Sequence, residues 1–191
     1  MTAEKLVYGG DALARVDGQA LLVPFVLPGE QAEVEARRSK GDLLRGRSPH
    51  ILQASAHRTR PSCDYFGTCG GCHYQHADYG YQVEQKAAIL RESFRRLGGF
   101  EFDGEIKTIS GEPWGYRNRI QLHFDRGRAG FRRSDSRELC EVDHCPISSP
   151  LLNDAIKVIS SAAKRREWPS FLQTLELFTD EKGLQLNVVE T

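Results

Sequence analysis

The stretch CDYFGTCGGCHYQH, residues 63–76, carries three of the chain's five cysteines within ten positions. Either a disulfide framework or a metal or iron–sulfur site would explain such a cluster. The N-terminal sequence MTAEKLVYGGDALA has no apolar run after a basic segment, so it is not a signal peptide. In the cytosol thiols stay reduced, and clustered cysteines usually bind metal. We therefore expect a cytoplasmic protein with a metal centre.

The cluster extends to a fourth, distant cysteine, giving the pattern Cys63-x5-Cys69-x2-Cys72 and then Cys145 before a proline. Two thiols separated by two residues can chelate one centre, because the turn between them brings both sulfurs to the same side. Gly70 and Gly71 suit that turn and let backbone amides approach the sulfurs. A cysteine followed by proline is also the last ligand in bacterial ferredoxins. Structural zinc sites use four thiolates too, so the spacing leaves cluster and zinc open.

Residues 4–57 contain short apolar or alternating runs, separated by turn-forming residues about every ten positions. Asp17-Gly18 lies between two such runs and indicates a hairpin, since both turn positions favour positive φ. The pattern predicts a small antiparallel barrel. The longest apolar stretch, residues 20–27, is too short to cross a bilayer, and we expect no membrane association.

After residue 57 the sequence predicts two helices and several strands. The first helix is predicted over 79–97, with Asp78 as its N-cap and Gly98-Gly99 at its end. Its apolar stripe, predicted to face the core, is Val83, Ala87, Leu90, Phe94 and Leu97. The second helix should begin at Ser149-Pro150 and bury Leu152, Ile156 and Ile159. Predicted strands include YRNRIQLHF, RAGFRR and RELCEV, and a last hairpin joins LQTLELFT to LQLNVV.

The formal net charge of zero conceals two basic runs. Residues 37–60 hold seven lysines and arginines against one acid, and residues 117–133 hold six arginines against one acid. Such patches can neutralise phosphates whatever the total charge, although a charge run can equally be a solvated face. The residues predicted to contact RNA are Arg37, Arg38, Lys40, Arg45, Arg47, Arg117, Arg119, Arg132 and Arg133.

Aromatic residues accompany the second basic run. The rings of Tyr116 and Phe131 could stack on unpaired bases. Phe131 and Arg132 face opposite sides of an alternating strand, and we expect the arginine at the surface and Phe131 in the core. Cys140 is interpreted as a small buried apolar residue on a strand, in preference to a nucleophile or an extra ligand.

In order along the chain, YGGDALARVDGQALLVPFVLPGEQAEVEA, CDYFGTCGGCHYQH, GYRNRIQLHF, GFRR and CEVDHCPI resemble the bacterial uracil-5-methyltransferases of 23S ribosomal RNA. These belong to the S-adenosylmethionine-dependent RNA m5U methyltransferase family. The resemblance covers essentially the whole chain. It implies that the barrel is an OB-like TRAM domain that binds RNA and that four cysteines hold a [4Fe–4S] cluster. By position the ligands are Cys63, Cys69, Cys72 and Cys145.

The resemblance further implies a Rossmann-like domain that binds S-adenosylmethionine and supplies a cysteine nucleophile and a carboxylate base. The chain has no Gly-rich strand-to-helix turn and no cysteine after Cys145, so we expect that domain to be missing and no catalytic residue to be present. The expected fold class is α+β, with a TRAM-like β-barrel (1–57) and a mixed α/β domain carrying the cluster (58–191).

The expected function is RNA recognition within a 23S rRNA uracil-5-methyltransferase. The chain should bind RNA, without a membrane and as a monomer, but should not catalyse methylation. The alternative is a stand-alone RNA-binding iron–sulfur or zinc protein.

Overall fold

The computed structural model describes residues 1–39 and 41–191, and this part of the chain forms ten strands and two α-helices. The first five strands are β1 (Lys5–Leu6), β2 (Ala12–Val16), β3 (Gln19–Val23), β4 (Gln31–Arg38) and β5 (Leu44–Gln53). The others are β6 (Arg119–Asp125), β7 (Arg128–Arg132), β8 (Leu139–Glu141), β9 (Thr174–Thr179) and β10 (Leu184–Glu190). The helices are α1 (Tyr79–Ser93), followed by a π-helical turn (Phe94–Gly98), and α2 (Pro150–Ala163).

The chain divides into two compact units, which are described separately. The first comprises Met1–Pro61 and His73–Ser110, and the second comprises Ser62–Cys72 and Gly111–Thr191. All five cysteines therefore belong to the second unit. The functional division at residue 57 stays a prediction.

The predicted fold class is wrong. Each unit is built on a five-stranded sheet, and the described residues are mostly sheet with few helices. A mixed α/β domain requires helices that connect parallel strands. In the second sheet, however, all four strand pairs are antiparallel, in the order β10-β9-β6-β7-β8.

The first sheet has the strand order β1-β2-β3-β5-β4. The Asp17-Gly18 hairpin between β2 and β3 is confirmed, with φ of 49° and 78° at its two turn residues. β3 pairs in parallel with β5, and an antiparallel bridge joins Thr2 to Gln31, the first residue of β4. The buried core of this unit consists of small and medium apolar side chains: Ala3, Leu6, Ala12, Ala14, Leu21, Val23 and Val26.

A buried ion pair fixes the turn between β3 and β4. The carboxylate of Glu30 is fully buried and accepts two hydrogen bonds from Arg58, at 2.5 and 2.6 Å. The amides of Leu27 and Ser55 donate to the same carboxylate, at 2.8 and 3.0 Å. Burial alone would raise the pKa of Glu30, but these hydrogen bonds and the Arg58 charge outweigh it and hold that pKa below its usual value.

Helix α1 begins as predicted, because the side chain of Asp78 accepts a hydrogen bond from the amide of Tyr81 (2.8 Å). The left-handed residue after the π-helical turn is Gly99, with φ of 69°. The prediction that the apolar stripe faces a core is wrong: no residue of α1 is buried, and Leu97 is 88% exposed. The helix instead contacts the first core through Ile89, which lies one position away from the stripe.

In the second unit, α2 packs on the sheet as its apolar period predicts. Leu152, Ile156 and Ile159 are buried in one cluster with side chains from β6 and β9. Phe131 also packs against this cluster, which confirms its predicted place in the core. The burial of α2 contributes Leu152, Ile156 and Ile159 to the second core.

Among the described residues, neither helix combines the length and the apolar character needed to cross a membrane.

Replacing Arg58 by Ala leaves the carboxylate of Glu30 buried without its cation. We expect the free energy of unfolding to fall by about 3–5 kcal/mol at neutral pH. Since the folded pKa of Glu30 is depressed, its stabilising effect is present above its unfolded pKa and is lost as pH falls through the folded value. Urea unfolding at neutral pH and in acid measures both effects, and the difference between wild type and Arg58→Ala should shrink in acid.

The matched control is Arg15→Ala, which removes an exposed partner of Glu4 at 3.7 Å. This change should cost less than about 1 kcal/mol, because surface ion pairs contribute little. Equal losses for the two variants would show that the buried pair has no special importance.

Candidate functional site

The cysteine loop, residues Ser62–Cys72, is a series of turns held against the end of β7. The amide of Cys69 donates to the carbonyl oxygen of Tyr65 (2.8 Å), which closes the first half of the loop. The amide of Gly70 donates to the carbonyl oxygen of Arg132 (2.9 Å). An isolated antiparallel bridge pairs Cys69 with Arg133. The loop is therefore fixed to the sheet by its backbone, next to two of its cysteines.

The two glycines of the loop have different roles. A Cβ atom on Gly70 would lie 3.1 Å from the carbonyl oxygen of Arg133 and 3.3 Å from that of Arg132, so only glycine fits without a shift of backbone. The amide of Gly71 lies 3.4 Å from the sulfur of Cys69 and donates to it. This N–H···S contact confirms that the glycine pair lets a backbone amide approach a cysteine sulfur.

Cys145 is positioned by Asn153 from the second turn of α2. The amide of Cys145 donates to Oδ1 of Asn153 (2.8 Å), and Nδ2 of Asn153 donates to the carbonyl oxygen of Cys145 (3.1 Å). The same nitrogen lies within hydrogen-bond distance of the carbonyl oxygens of Ser148 (3.0 Å) and Ser149 (3.3 Å). Sequence reasoning missed Asn153, because a side chain that binds the backbone of a preceding loop, unlike a helix N-cap, has no characteristic sequence pattern.

One side-chain contact joins the two cysteine-bearing segments. The hydroxyl of Tyr65, two residues after Cys63, donates to Oδ1 of Asp143 (2.7 Å), two residues before Cys145. This bond and the backbone hydrogen bonds between the loop and β7 bring the segment of Cys145 close to the loop that carries the other three cysteines.

The thiols influence one another's ionisation. Burial, with a smaller effect of negative charge on Cys140, Cys72 and Cys145, raises the pKa of Cys69 to about 11. Burial also raises the pKa of Cys63, as do Cys145 and Cys72. However, no three histidine, cysteine or acidic side chains among the described residues are arranged to hold a metal ion. The ligand set Cys63, Cys69, Cys72 and Cys145 therefore stays a prediction.

Cys140 lies in the core, as predicted. It is 5% exposed, sits on β8 directly opposite Phe131, and belongs to the second buried cluster. Burial raises the pKa of its thiol, although the charge of Arg133 acts in the opposite direction. A buried thiol with a raised pKa is a poor nucleophile.

The first basic run does not form an uninterrupted positive surface. On the exposed face of β4 and β5, Arg37 lies opposite Arg45, but Arg47 lies opposite Glu35. Arg45 also forms an ion pair with Asp11 (3.1 Å). Arg38 is exposed at the end of β4, Arg58 is used in the buried ion pair, and Lys40 lies outside the described residues.

The second basic run is divided between two places. Arg119 and Arg132 are exposed on the face of the second sheet that α2 does not cover. Arg117 and Arg133 lie at the cysteine loop: Nη1 of Arg117 would be 3.9 Å from a Cβ on Gly71, and Arg133 borders Gly70. Thus the structure brings two of the predicted RNA-binding arginines together with the cysteines.

Comparison with known proteins identifies the relatives of this chain. No protein-family model matches it. It is 35% identical, over 86% of its length, to a protein of Aquifex aeolicus named "Uncharacterized RNA methyltransferase". It is 31% identical, over 94% of its length, to the 23S rRNA (uracil(1939)-C(5))-methyltransferase RlmD of Vibrio parahaemolyticus.

Over most of its length the chain is thus similar to proteins named as RNA methyltransferases, among them a uracil-5-methyltransferase. This confirms the resemblance seen in the cysteine and strand motifs. The chain spans 39% of the Aquifex protein and 42% of the Vibrio protein, about two fifths of the length of each.

The fold is similar to that of a solved RNA methyltransferase. The tRNA (uracil-54, C5)-methyltransferase of Pyrococcus abyssi, solved with S-adenosyl-L-homocysteine, matches 97% of this chain with a TM-score of 0.67 and 23% identity. The match covers 44% of that protein. It corrects the second part of the predicted fold class as well: the chain follows the fold of a methyltransferase over nearly all its length, and no Rossmann-like domain is shown to be missing.

Replacing Asn153 by Ala should expose Cys145. The change removes the hydrogen bonds that hold the peptide groups on both sides of this cysteine, and a net loss of about 1.4 kcal/mol would make local opening roughly tenfold more frequent. We expect the alkylation rate of Cys145, followed by mass spectrometry of the reduced protein, to rise accordingly.

Asp154→Ala is the matched control on the same helix, because Asp154 is exposed and forms a surface ion pair with Lys157 at 3.7 Å. Its alkylation rate at Cys145 should equal that of wild type. An unchanged rate in Asn153→Ala would mean that Asn153 does not hold the segment.

Proposed function

We propose that this chain takes part in the S-adenosylmethionine-dependent methylation of uracil C5 in 23S ribosomal RNA, by binding the RNA and holding a [4Fe–4S] cluster. The observation that carries the proposal is its sequence relationship, over 86% and 94% of its length, to two proteins named as RNA methyltransferases. One of these names specifies uracil C5 of 23S rRNA. This favours the methyltransferase over a stand-alone RNA-binding protein.

The donor set of the cysteine site suits an iron–sulfur cluster. Cys63, Cys69, Cys72 and Cys145 supply four thiols within one compact unit, and charge on one raises the pKa of another. A cluster bound by four thiolates lowers such pKa values, since the iron atoms favour the deprotonated form. The amide of Gly71 would then stabilise the sulfur of Cys69 by the hydrogen bond that it already donates.

The choice of a cluster over a single zinc ion rests on the resemblance to the RNA m5U methyltransferases. Four sulfurs on one zinc ion must all lie about 2.3 Å from the same point, whereas in a cluster each thiolate binds a different iron atom.

The methyl donor is proposed from the relatives alone. The Pyrococcus protein of similar fold was solved with S-adenosyl-L-homocysteine, the demethylated product of S-adenosylmethionine. We assign no residue of this chain to the donor.

RNA binding is proposed to use the exposed arginines of both basic runs. Arg37, Arg38 and Arg47 of the first unit and Arg119 and Arg132 of the second can reach phosphates. Arg45 is shared with Asp11, and Arg47 faces Glu35, so each should contribute less than a free arginine. Contacts of this kind set affinity and its salt dependence but do not read sequence.

The cluster is tested by anaerobic reconstitution with iron and sulfide. The wild type should bind about four iron atoms per chain and develop the broad visible absorption of an iron–sulfur cluster. Cys69→Ser and Cys145→Ser should lose most of the iron. Cys140→Ser, a change at the cysteine assigned to the core, should keep it. Tight binding of one zinc ion instead, or iron binding that survives Cys145→Ser, would contradict the proposed site.

RNA binding is tested by the salt dependence of affinity. Replacing Arg45 and Arg47 together by Ala should weaken binding to unrelated RNAs alike and reduce the slope of log K against log salt by up to about 1.4, since each contact to a single strand adds roughly 0.7. The control removes two exposed arginines outside the basic runs, Arg15 and Arg95. An equal change in the control would mean that binding follows total charge and not this surface.

A further inference from the structure

We propose that two exposed aromatic side chains, Trp114 and Tyr116, form a stacking site for unpaired bases of single-stranded RNA. The proposal rests on the proposed function, because RNA is the ligand, and it names the part of the RNA that this site would take. These two residues are called the aromatic pair below.

Both rings of the aromatic pair are exposed. Trp114 is 41% and Tyr116 61% exposed. The chain's other tryptophan, Trp168, packs against the second core instead. Its ring centroid lies 5.0 Å from that of Phe124. An exposed tryptophan and an exposed tyrosine two residues apart leave apolar and polarisable area in water, which a flat ligand could cover.

The backbone that carries the aromatic pair is fixed. The amide of Gly115 donates to the carbonyl oxygen of Pro146 (3.0 Å), and the amide of Arg117 donates to that of Ile147 (2.8 Å). In return, the amide of Ser149 donates to the carbonyl oxygen of Arg117 (2.9 Å). These bonds pair the segment with the residues that follow Cys145. Rings on a fixed backbone lose less conformational entropy when a ligand binds.

Two arginines follow the aromatic pair within five residues of the chain. Arg117 and Arg119 follow in sequence, and Arg117 also borders the cysteine loop at Gly71. The amide of Thr179 donates to the carbonyl oxygen of Asn118 (2.9 Å), which ties this part of the segment to β9. Stacking rings next to arginines are the combination by which proteins grip single strands: the rings cover bases and the arginines neutralise phosphates.

The chemistry selects unpaired RNA over duplex RNA. Bases inside a duplex are stacked on one another and offer no free face to a side chain. Every base has a flat π-face, so stacking on Trp114 and Tyr116 would tolerate different sequences. A site of this kind would hold the bases near a target uracil in an unpaired state without choosing the target.

The test compares binding of a short oligouridylate and of an RNA duplex of equal length, by fluorescence anisotropy of labelled RNA. Trp114→Ala and Tyr116→Ala should each weaken binding of the single strand between about fivefold and a hundredfold, and change duplex binding much less. The salt slope should not change, because stacking releases no counterions. Trp114→Phe should restore most of the affinity, since it keeps an aromatic ring.

Tyr8→Ala is the control, because Tyr8 is an exposed aromatic residue of the first unit. It should bind both RNAs as the wild type does. As a second readout, the fluorescence of Trp114 should be quenched when oligouridylate binds, and Trp114→Ala should remove the quenched signal.

Two failures are distinguishable. If the wild type binds neither RNA, the proposed function fails and this inference fails with it. If the wild type binds RNA but the Trp114 and Tyr116 variants bind the single strand equally well, only the stacking site is overturned; rings that cover a protein partner would give this result. Equal losses for single strand and duplex would also overturn it.

Discussion

The close approach of Gly70 to the end of β7 is the contact on which the candidate site depends. The amide of Gly70 donates to the carbonyl oxygen of Arg132. Because glycine has no side chain, there is also room for the carbonyl oxygen of Arg133. This contact places Cys69 and Cys72 beside the sheet, where burial and neighbouring thiols govern ionisation. From there the Tyr65–Asp143 hydrogen bond reaches the segment of the fourth cysteine.

The second half of the site is organised from α2. The apolar side of this helix is held in the core by Leu152 and Ile156, so its polar Asn153 is fixed in direction. That side chain satisfies the peptide groups around Cys145, which would otherwise need water or another partner. The same segment then pairs with the backbone of Arg117, so cysteines, arginines and exposed rings share one framework.

Arginines of the two basic runs differ in burial and in the charges that surround them. Arg58 lies in the first basic run but neutralises the buried Glu30, and its removal would act on stability. Arg47 lies opposite Glu35 on a neighbouring strand, so its charge is partly balanced. Arg119 and Arg132 stay exposed on an open sheet face. A polyanion would therefore meet a smaller positive surface than the sequence suggests.

The sequence predicted local structure correctly where residues close together in the chain determine it. The hairpin at Asp17-Gly18, the N-cap at Asp78, the buried side of α2 and the inward position of Phe131 all follow from φ preference, capping or alternation. The resemblance to RNA uracil-5-methyltransferases was also readable, because it lies in the order and spacing of motifs.

Only the tertiary structure decided which partners these elements meet. The stripe of α1 has a helical period whether or not a core lies beside it, and the helix packs against the first core through Ile89 instead. The wrong fold class has the same origin, since periodicity predicts strands and helices but not whether strands pair in parallel or antiparallel. Asn153 and Gly70 contact the backbone of residues that are distant in sequence. Backbone groups are the same in every residue, so no sequence pattern predicts these contacts.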